Sequence, residues 1–527
     1  MYKHGTYGEL VPTSITPEAA ASCVVYVGTA PAHKIKGQSE RADLFNLPLR
    51  ITNVESARKL LGYSEQAPFE KYTLCEAIEV HFKNAIENIG PIYCINVLDP
   101  NLDWNYEEID EGIELTVLKK QAKFVLGDLM LDSIQIEELK KSTSEEVATE
   151  QSEEETSETP SVDESFTTEL LIEDQDYSLI YDSVTDTVTL TFLNTEVPTK
   201  VLVKGKIINP DVISASEIIG GITPEGKKTG LQAVLDMHRK HNEITNLIAA
   251  PGFSEIPEVY EAMCRVVEKL NGHWDAFAVV DVPIKDGEAR INTRVKALQW
   301  KEDHGYTSGR TVPLWPQVKR KGGKFAHLST MITAVMQVLD TAAGGVPYQS
   351  PSNHVIDIED LYAGEGFAGF DQYEANELNE GGITTAIRWG GKWRLWGGHT
   401  GAYSYKAEEA GASFDPTTRF ITSIRTMMHI TNSFQKDNFD LIDQPMTPAL
   451  KDFILQKEQS KLDAMVATGA LLGQPKIRFS EDNSPEQIMG GNFVWDIEAT
   501  TGVPFKSGTV RLGYTDAGVY TLIGEEE

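Results

Sequence analysis

Apolar and polar positions along the chain alternate with two periods, and the pattern predicts an α/β framework interrupted once. SCVVYVG (22–28) is a short β-branched run of the buried-strand type. In 73–88, Leu74, Ala77, Ile78, Phe82, Ala85 and Ile86 fall on one helical face, with Thr73 and Glu76 at capping-box spacing. Gly90-Pro91 stops that helix and IYCINVL (92–98) follows as a strand, the succession of an α/β core. The same pattern resumes far downstream. It predicts a helix over about 228–241, a strand at NLIAAPG (246–252), a helix over 256–270 with Pro257 in its first turn, a continuous apolar strand at DAFAVVDVP (275–283) and a long helix over about 325–341.

Between these halves the character changes. ELTVL, AKFVLG, YSLIYD, TVTLTFL and TKVLVKGKI read as short strands of a β-rich insertion spanning 101–209. Within it, 142–165 carries nine acids, no base and almost nothing apolar, so it cannot bury enough surface to offset its ordering entropy and is expected as a mobile, solvated acidic loop. Beyond the core, ITTAIRW and KWRLWGG pair across Gly390-Gly391. Helices follow over about 417–435 and 447–471, with strands near 475–480, 493–499 and 507–513. The fold expected is therefore α/β and α+β, multidomain. An interrupted α/β core (19–100 and 210–382) carries the insertion (101–209), followed by an α+β C-terminal domain (383–513). The turn-rich start 1–18 and the strand-like AGVYTLIGEEE end, within 514–527, read as extended arms outside the core. Unpaired strands are aggregation hazards unless a neighbour receives them. The arms either pair with their own domain or add to another subunit's sheet, and pattern alone leaves the two readings level.

Length and charge sharpen this picture. A chain of 527 residues exceeds one core and suggests two to four domains. A net charge of −32 repels phosphates and anionic lipid, so neither nucleic acid nor membrane insertion is expected. No signal peptide and no membrane-length apolar run is read, which suits a cytoplasmic site of synthesis. Cys23, Cys75, Cys94 and Cys264 lie in apolar runs without metal-ligand spacing and read as buried small hydrophobes.

Candidate chemistry is sparse. GEGFAG (364–369) fits GxGxxG but does not join a strand to a helix, so it reads as a loop. His238 and His241 alone make a poor metal site and suit a helix C-terminus. Asp281 and Ser254 would be the candidates were this an enzyme, Asp281 closing a central strand, but no base or nucleophile partner is visible. WGGKWRLWGG (389–398) could stack a sugar or base, although hairpin packing explains it better. Catalytic residues, metals and cofactors are thus all expected to be absent.

Several segments, taken in order, resemble the contractile tail sheath family of phages, phage-tail-like bacteriocins and prophage particles. They are NLIAAPGF (246–253), DAFAVVDVP, ELNEGGITTAIRWGGKWRLWGGHT (377–400, with His399 where Arg is common), FITSIRTMMHITNSF (420–434) and TPALKDFILQKEQSKLDAMVATGALLG (447–473). The resemblance is weakest over 101–209. It implies a structural subunit rather than an enzyme, stacked in hexameric rings wound helically around a tail tube. It further implies exchanged terminal strands, contraction without nucleotide hydrolysis, and tube, baseplate and tail terminator proteins as partners besides the chain itself. Assembly in a bacterial host cytoplasm would follow. The arm contacts would then be Tyr7, Leu10 and Val11 at the start, and Val519, Tyr520, Thr521, Leu522 and Ile523 at the end. Lys457 and Lys461, one turn apart on the helix implied to face the tube, could meet it. With Glu458 and Asp463 close by they equally fit a solvated face. An α/β enzyme bearing an acidic insertion, or a baseplate component, are the competing functions.

Overall fold

The computed structural model describes residues 22–38, 41–109, 111–141, 166–520 and 522. The expectations for 1–18, including Tyr7, Leu10 and Val11, for the loop 142–165, and for Thr521 and Ile523 lie outside the described residues.

The centre is a six-stranded sheet. Its strands are β1 (Val24–Gly28), β2 (Leu49–Ile51), β3 (Ile92–Asn96), β4 (Leu247–Ala249), β5 (Phe277–Asp281) and β6 (Thr311–Leu314), in the spatial order β6-β5-β4-β1-β3-β2. All neighbours are parallel except β2, which runs antiparallel to β3 at the edge. Strands β1, β3, β4, β5 and β6 are buried along their whole length, which explains their unbroken apolar runs. Helices α1 (Val54–Leu61), α2 (Thr73–Phe82), α3 (Pro257–Val266), α4 (Arg294–Asp303) and α5 (Leu328–Ala342) surround it. Helices α2 and α5 pack on each other, α2 against β1 and α5 against β4 and β5. The 3-10 stretch Gly230–Asp236 and α3 pack together, the former on β1 and β3 and the latter on β5. The helix expected over 228–241 is thus mostly 3-10, with one α turn at Met237–His241.

One local expectation fails. Helix α2 has no capping box: Tyr72 occupies the N-cap without a side-chain bond. Thr73 instead exchanges bonds with Thr29, its hydroxyl accepting from Thr29 N (3.3 Å) and its N–H donating to Thr29 Oγ1 (3.2 Å). Glu76 turns inward toward α5, because a buried partner there outcompetes an exposed helix end.

The insertion leaves and rejoins the core through the paired stem Tyr106–Glu108 and Lys206–Ile208. It consists of a three-stranded and a four-stranded antiparallel sheet sharing a core of Phe124, Ile136, Leu190, Phe192, Val201 and Val203.

The C-terminal region comprises α6 (Gln372–Glu380), the hairpin β7 (Thr385–Trp389) and β8 (Lys392–Trp396), α7 (Ile421–Asn438), α8 (Pro448–Ala467) and the hairpin β9 (Leu471–Phe479) and β10 (Trp495–Thr501). Ile383, Ala386, Leu395, Ile421 and Met428 all join the main core, so the early part of this region packs as one body with the sheet. A separate small cluster forms only beyond it, from Ile430, Leu462, Met465, Ala470 and Leu471. No strand forms over 507–513, and the expected terminal strand begins instead as a short helix, Ala517–Tyr520. A strand needs a neighbour for its N–H and C=O groups, and the described residues offer this stretch none.

Candidate functional site

The sites that an enzyme would use are closed. Asp281, at the C-terminal end of β5, is 3% exposed. Its N–H donates to Ser254 Oγ (3.0 Å), Ser254 Oγ faces its Oδ2 at 3.4 Å, and Ser329 N at the start of α5 donates to its Oδ1 (3.1 Å). The sequence candidates Asp281 and Ser254 are therefore brought together, but both are buried and each satisfies the other. Beside them, His327 donates its backbone N–H to Glu76 Oε1 (2.7 Å) and places Nδ1 2.8 Å from Glu76 Oε2. Thr330 Oγ1 also donates to Glu76 (2.7 Å), and Glu255 Oε1 stands 3.5 Å from His327 Nε2. Burial pushes the Asp281 carboxyl up to about 7, against the opposing charge of His327. Burial alone would lower His327, but the carboxylates of Glu76 and Glu255 hold it well above the usual imidazole range. This cluster clamps α2, α5 and β5 together. Glu76 and His327 were not singled out from sequence, since only the fold brings residues so distant in sequence together.

The remaining chemical candidates resolve structurally. His241 Nε2 bonds Pro48 O (2.7 Å) and His238 lies on Trp274, ring centres 5.4 Å apart. Among the described residues no group of His, Cys, Asp and Glu could hold a metal. GEGFAG is a loop, but contrary to expectation it does lie between a strand, Asp360–Tyr362, and α6; that short strand pairs antiparallel outside the central sheet, so the parallel βαβ unit of a pyrophosphate site is not formed. Cys23, Cys75 and Cys94 are buried, Cys264 is half-buried, and burial raises the thiol of Cys75 to about 12. In the Trp-rich hairpin, Trp393 and Trp396 are anchored through Nε1 to Glu359 O (3.0 Å) and Asn376 Oδ1 (2.9 Å). Trp389, by contrast, is exposed at the tip, so hairpin packing accounts for only part of the cluster.

What stands open is backbone and apolar surface. The hairpin β9–β10 is a sheet of only two strands, with no third strand on either edge among the described residues. Beyond it, 502–515 has no regular structure, and Phe505, Val510, Leu512 and Tyr514 are each 89% to 94% exposed. The stretch is held at its start, where Lys506 Nζ lies 5.5 Å from the Tyr403 ring centre. Val519 and Leu522, two of the expected arm contacts, are exposed as well; Tyr520 falls in the short terminal helix.

Lys457 and Lys461 are occupied within the chain. Lys457 bonds Asp437 O and Asn438 Oδ1, and Lys461 pairs with Asp437 and with Glu458 Oε1 (2.9 Å). Their first role is to bind α8 to the end of α7, with the side chain of Lys461 still 35% exposed.

The chain thus leaves open the edges of a two-stranded hairpin and an apolar strand-length segment, surfaces of the kind that pair with another chain. Comparisons with known proteins place it more narrowly. No protein-family profile matches the chain. Over 306 residues it is 27% identical to a putative prophage major tail sheath protein of Pseudomonas aeruginosa (strain UCBPP-PA14), the match covering 57% of this chain and 73% of that one. Over 332 residues it is 22% identical to the tail sheath protein of Burkholderia phage BcepMu, covering 60% and 65% of the respective chains. Its fold matches the helical sheath of the anti-feeding prophage in the contracted state with a TM-score of 0.51 at 14% identity, across 98% of this chain and 99% of the other. The chain is thus a relative of tail sheath proteins, with the fold of a contractile sheath, and is structural rather than enzymatic.

Proposed function

We propose that the chain is the sheath subunit of a contractile tail-like injection machine, polymerising as a helical stack of hexameric rings around a tail tube and shortening to drive that tube through a cell envelope. The observation that carries the proposal is the pairing of a donor with a receiver in one chain. A segment without regular structure, 503–514, exposes Phe505, Val510, Leu512 and Tyr514 directly after a hairpin, β9–β10, whose edges lack strands among the described residues. The hairpin is supported on one face by α8, but its edges keep unpaired backbone groups, and strand addition from neighbouring copies would complete it. Each backbone hydrogen bond so formed contributes roughly 0.5–1.5 kcal/mol net, which repetition over every subunit turns into a strong lattice. A contact between different surfaces that does not close in a plane generates a helix.

In this reading Tyr7, Leu10 and Val11 would donate from the other terminus, and residues 519–523 would continue the C-terminal arm. Lys461 is the better placed of the two lysines to meet the tube. Baseplate and tail terminator proteins bound the polymer, which is assembled in a bacterial host cytoplasm and becomes part of a virion tail or tail-like particle. No described helix is long and apolar enough to cross a membrane, and the machine would act through its tube.

The test is removal of residues 503–527. Negative-stain electron microscopy, alone and with a tail tube protein, should show striated cylinders for the full chain and none for the truncated one, which keeps its cooperative melting. Long ordered sheaths from the truncated chain would sink the proposal.

A further inference from the structure

The elbow between α7 and α8 is an apolar knob with an acidic rim. Phe439, Ile442 and Phe453 are 52% to 67% exposed. Lys457 reaches back to Asp437 and Asn438, which puts Phe453, one helical turn nearer the apex, on the same side of the elbow as the start of the connection. Asp440 and Asp443 are exposed around them and neither makes an ion pair within the described residues.

Elsewhere the chain carries a complementary shape with two unpaired cations on one side of it. Between α6 and the face of the β7–β8 hairpin runs a groove of about 710 Å³, walled by Tyr373, Ile387, Trp389 and Phe370. Tyr373 and Trp389 are largely exposed, in a groove of the size that accepts a few inserted side chains. Arg388 and Asp371 both line it, but the Asp371 carboxylate is engaged as the N-cap of α6, accepting from Glu374 N (2.9 Å), whereas Arg388, and Lys392 just outside it opposite Trp389 in the hairpin register, are exposed and without an ion pair among the described residues. In a chain of net charge −32 copies repel, and a contact that sets acids of one against bases of the next offsets part of that repulsion.

We infer that the α7–α8 elbow of one copy seats in the α6/β7–β8 groove of a second copy, Phe439 and Ile442 entering between Tyr373 and Trp389 while Asp440 and Asp443 meet Arg388 and Lys392. The contact joins two different surfaces, so repetition propagates rather than closing on itself. It rests on the self-assembly proposed above but not on the exchanged arms, and it supplies side-chain specificity that backbone pairing alone lacks.

Charge reversal tests it on the full-length chain. Arg388→Glu with Lys392→Glu, and separately Asp440→Lys with Asp443→Lys, should each lower sedimentable polymer about tenfold, whereas a mixture of the two variant chains should recover mixed polymer through the restored contacts, as opposite charges permit. Both variants must keep the wild-type melting temperature and circular dichroism. As a second measurement, Ile442→Cys combined with Tyr373→Cys in assembled protein should give an inter-chain disulfide on mild oxidation. Variants that polymerise like wild type, or polymer without the cross-link, overturn this contact while leaving the sheath reading intact. A wild-type chain that stays monomeric alone and with tube protein defeats both. Loss of tube binding without loss of polymer would assign the knob to the tube instead and overturn the contact.

Discussion

Asp281→Asn isolates the electrostatic strain held at the centre of the core. The carboxyl is raised from 3.8 to about 7, chiefly by burial. A carboxyl with a raised folded pKa contributes its full stability below its unfolded value and loses it as pH rises through the folded one. The wild-type fold should therefore weaken from near pH 4 to pH 7 on account of this group. At about 1.4 kcal/mol per unit, the loss approaches a ceiling of about 4 kcal/mol. The amide has nearly the same shape, keeps an oxygen for Ser329 N and can donate to Ser254 Oγ, so it keeps the bonds and removes the titration. The charged neighbours from the packed elements are His327, Glu76 and Glu255, and with Asp281 neutral the last two still hold His327 cationic. Urea unfolding at a series of pH values should find the variant more stable by about 2–4 kcal/mol at pH 8, the gap closing toward pH 4. In a core of this size, thermal midpoints should move by about 2–4 °C for each kcal/mol. Wild-type and variant curves that run parallel from pH 4 to 8 would refute the reasoning.

Two further outcomes follow from buried charge. Arg425 NH1 donates to Asp340 Oδ1 (3.3 Å) and a second guanidinium nitrogen pairs with Oδ2, joining α7 to α5 with both side chains buried; Arg425→Met should cost about 3–5 kcal/mol by denaturant unfolding, because it strands the Asp340 carboxylate. His81 is lowered to about 4 by burial and bonds Tyr26 OH (2.8 Å). Its stabilising contribution is full above the ordinary imidazole range and is lost as pH falls toward 4, so the stability of His81→Gln relative to wild type should rise as pH falls from 6.5 to 4 in the same assay.

The sequence was most legible where local pattern and burial agree. Strands β1, β3, β4 and β5 are fully covered, so their apolar runs announced them, and Gly390-Gly391 marked the β7–β8 turn. It was least legible where a residue's partner lies far along the chain. Thr73 and Glu76 have capping-box spacing, yet Glu76 serves His327 and Thr330 some 250 positions away, a contact that no local window contains. Strand β2, only three residues long, and helix α4, mostly polar, gave little periodic signal and were not anticipated. The stretch 507–513 has strand-like alternation but no strand, because alternation states a preference and pairing needs a partner that the single chain does not supply.

The joint between insertion and core bears on how such a subunit could work. Lys34 Nζ meets Asp186 Oδ1 at 2.6 Å with both side chains almost wholly buried, and Tyr181 OH (2.8 Å) and Gly127 N (3.1 Å) also donate to that carboxylate. Alongside, Lys71 and Tyr72 OH converge on Asp128 at 2.8 and 2.7 Å. A buried pair contributes little net stability against an apolar alternative, but separating its members leaves unpaired charges in a desolvated place and is strongly unfavourable. Such a joint behaves as a lock rather than a hinge. The same holds where Arg425 ties α7 to α5, so insertion, sheet and α7 form one body. Movement between two packings of such subunits would fall on what lies outside the locks, namely the exposed stretch 502–515 and the contacts between copies.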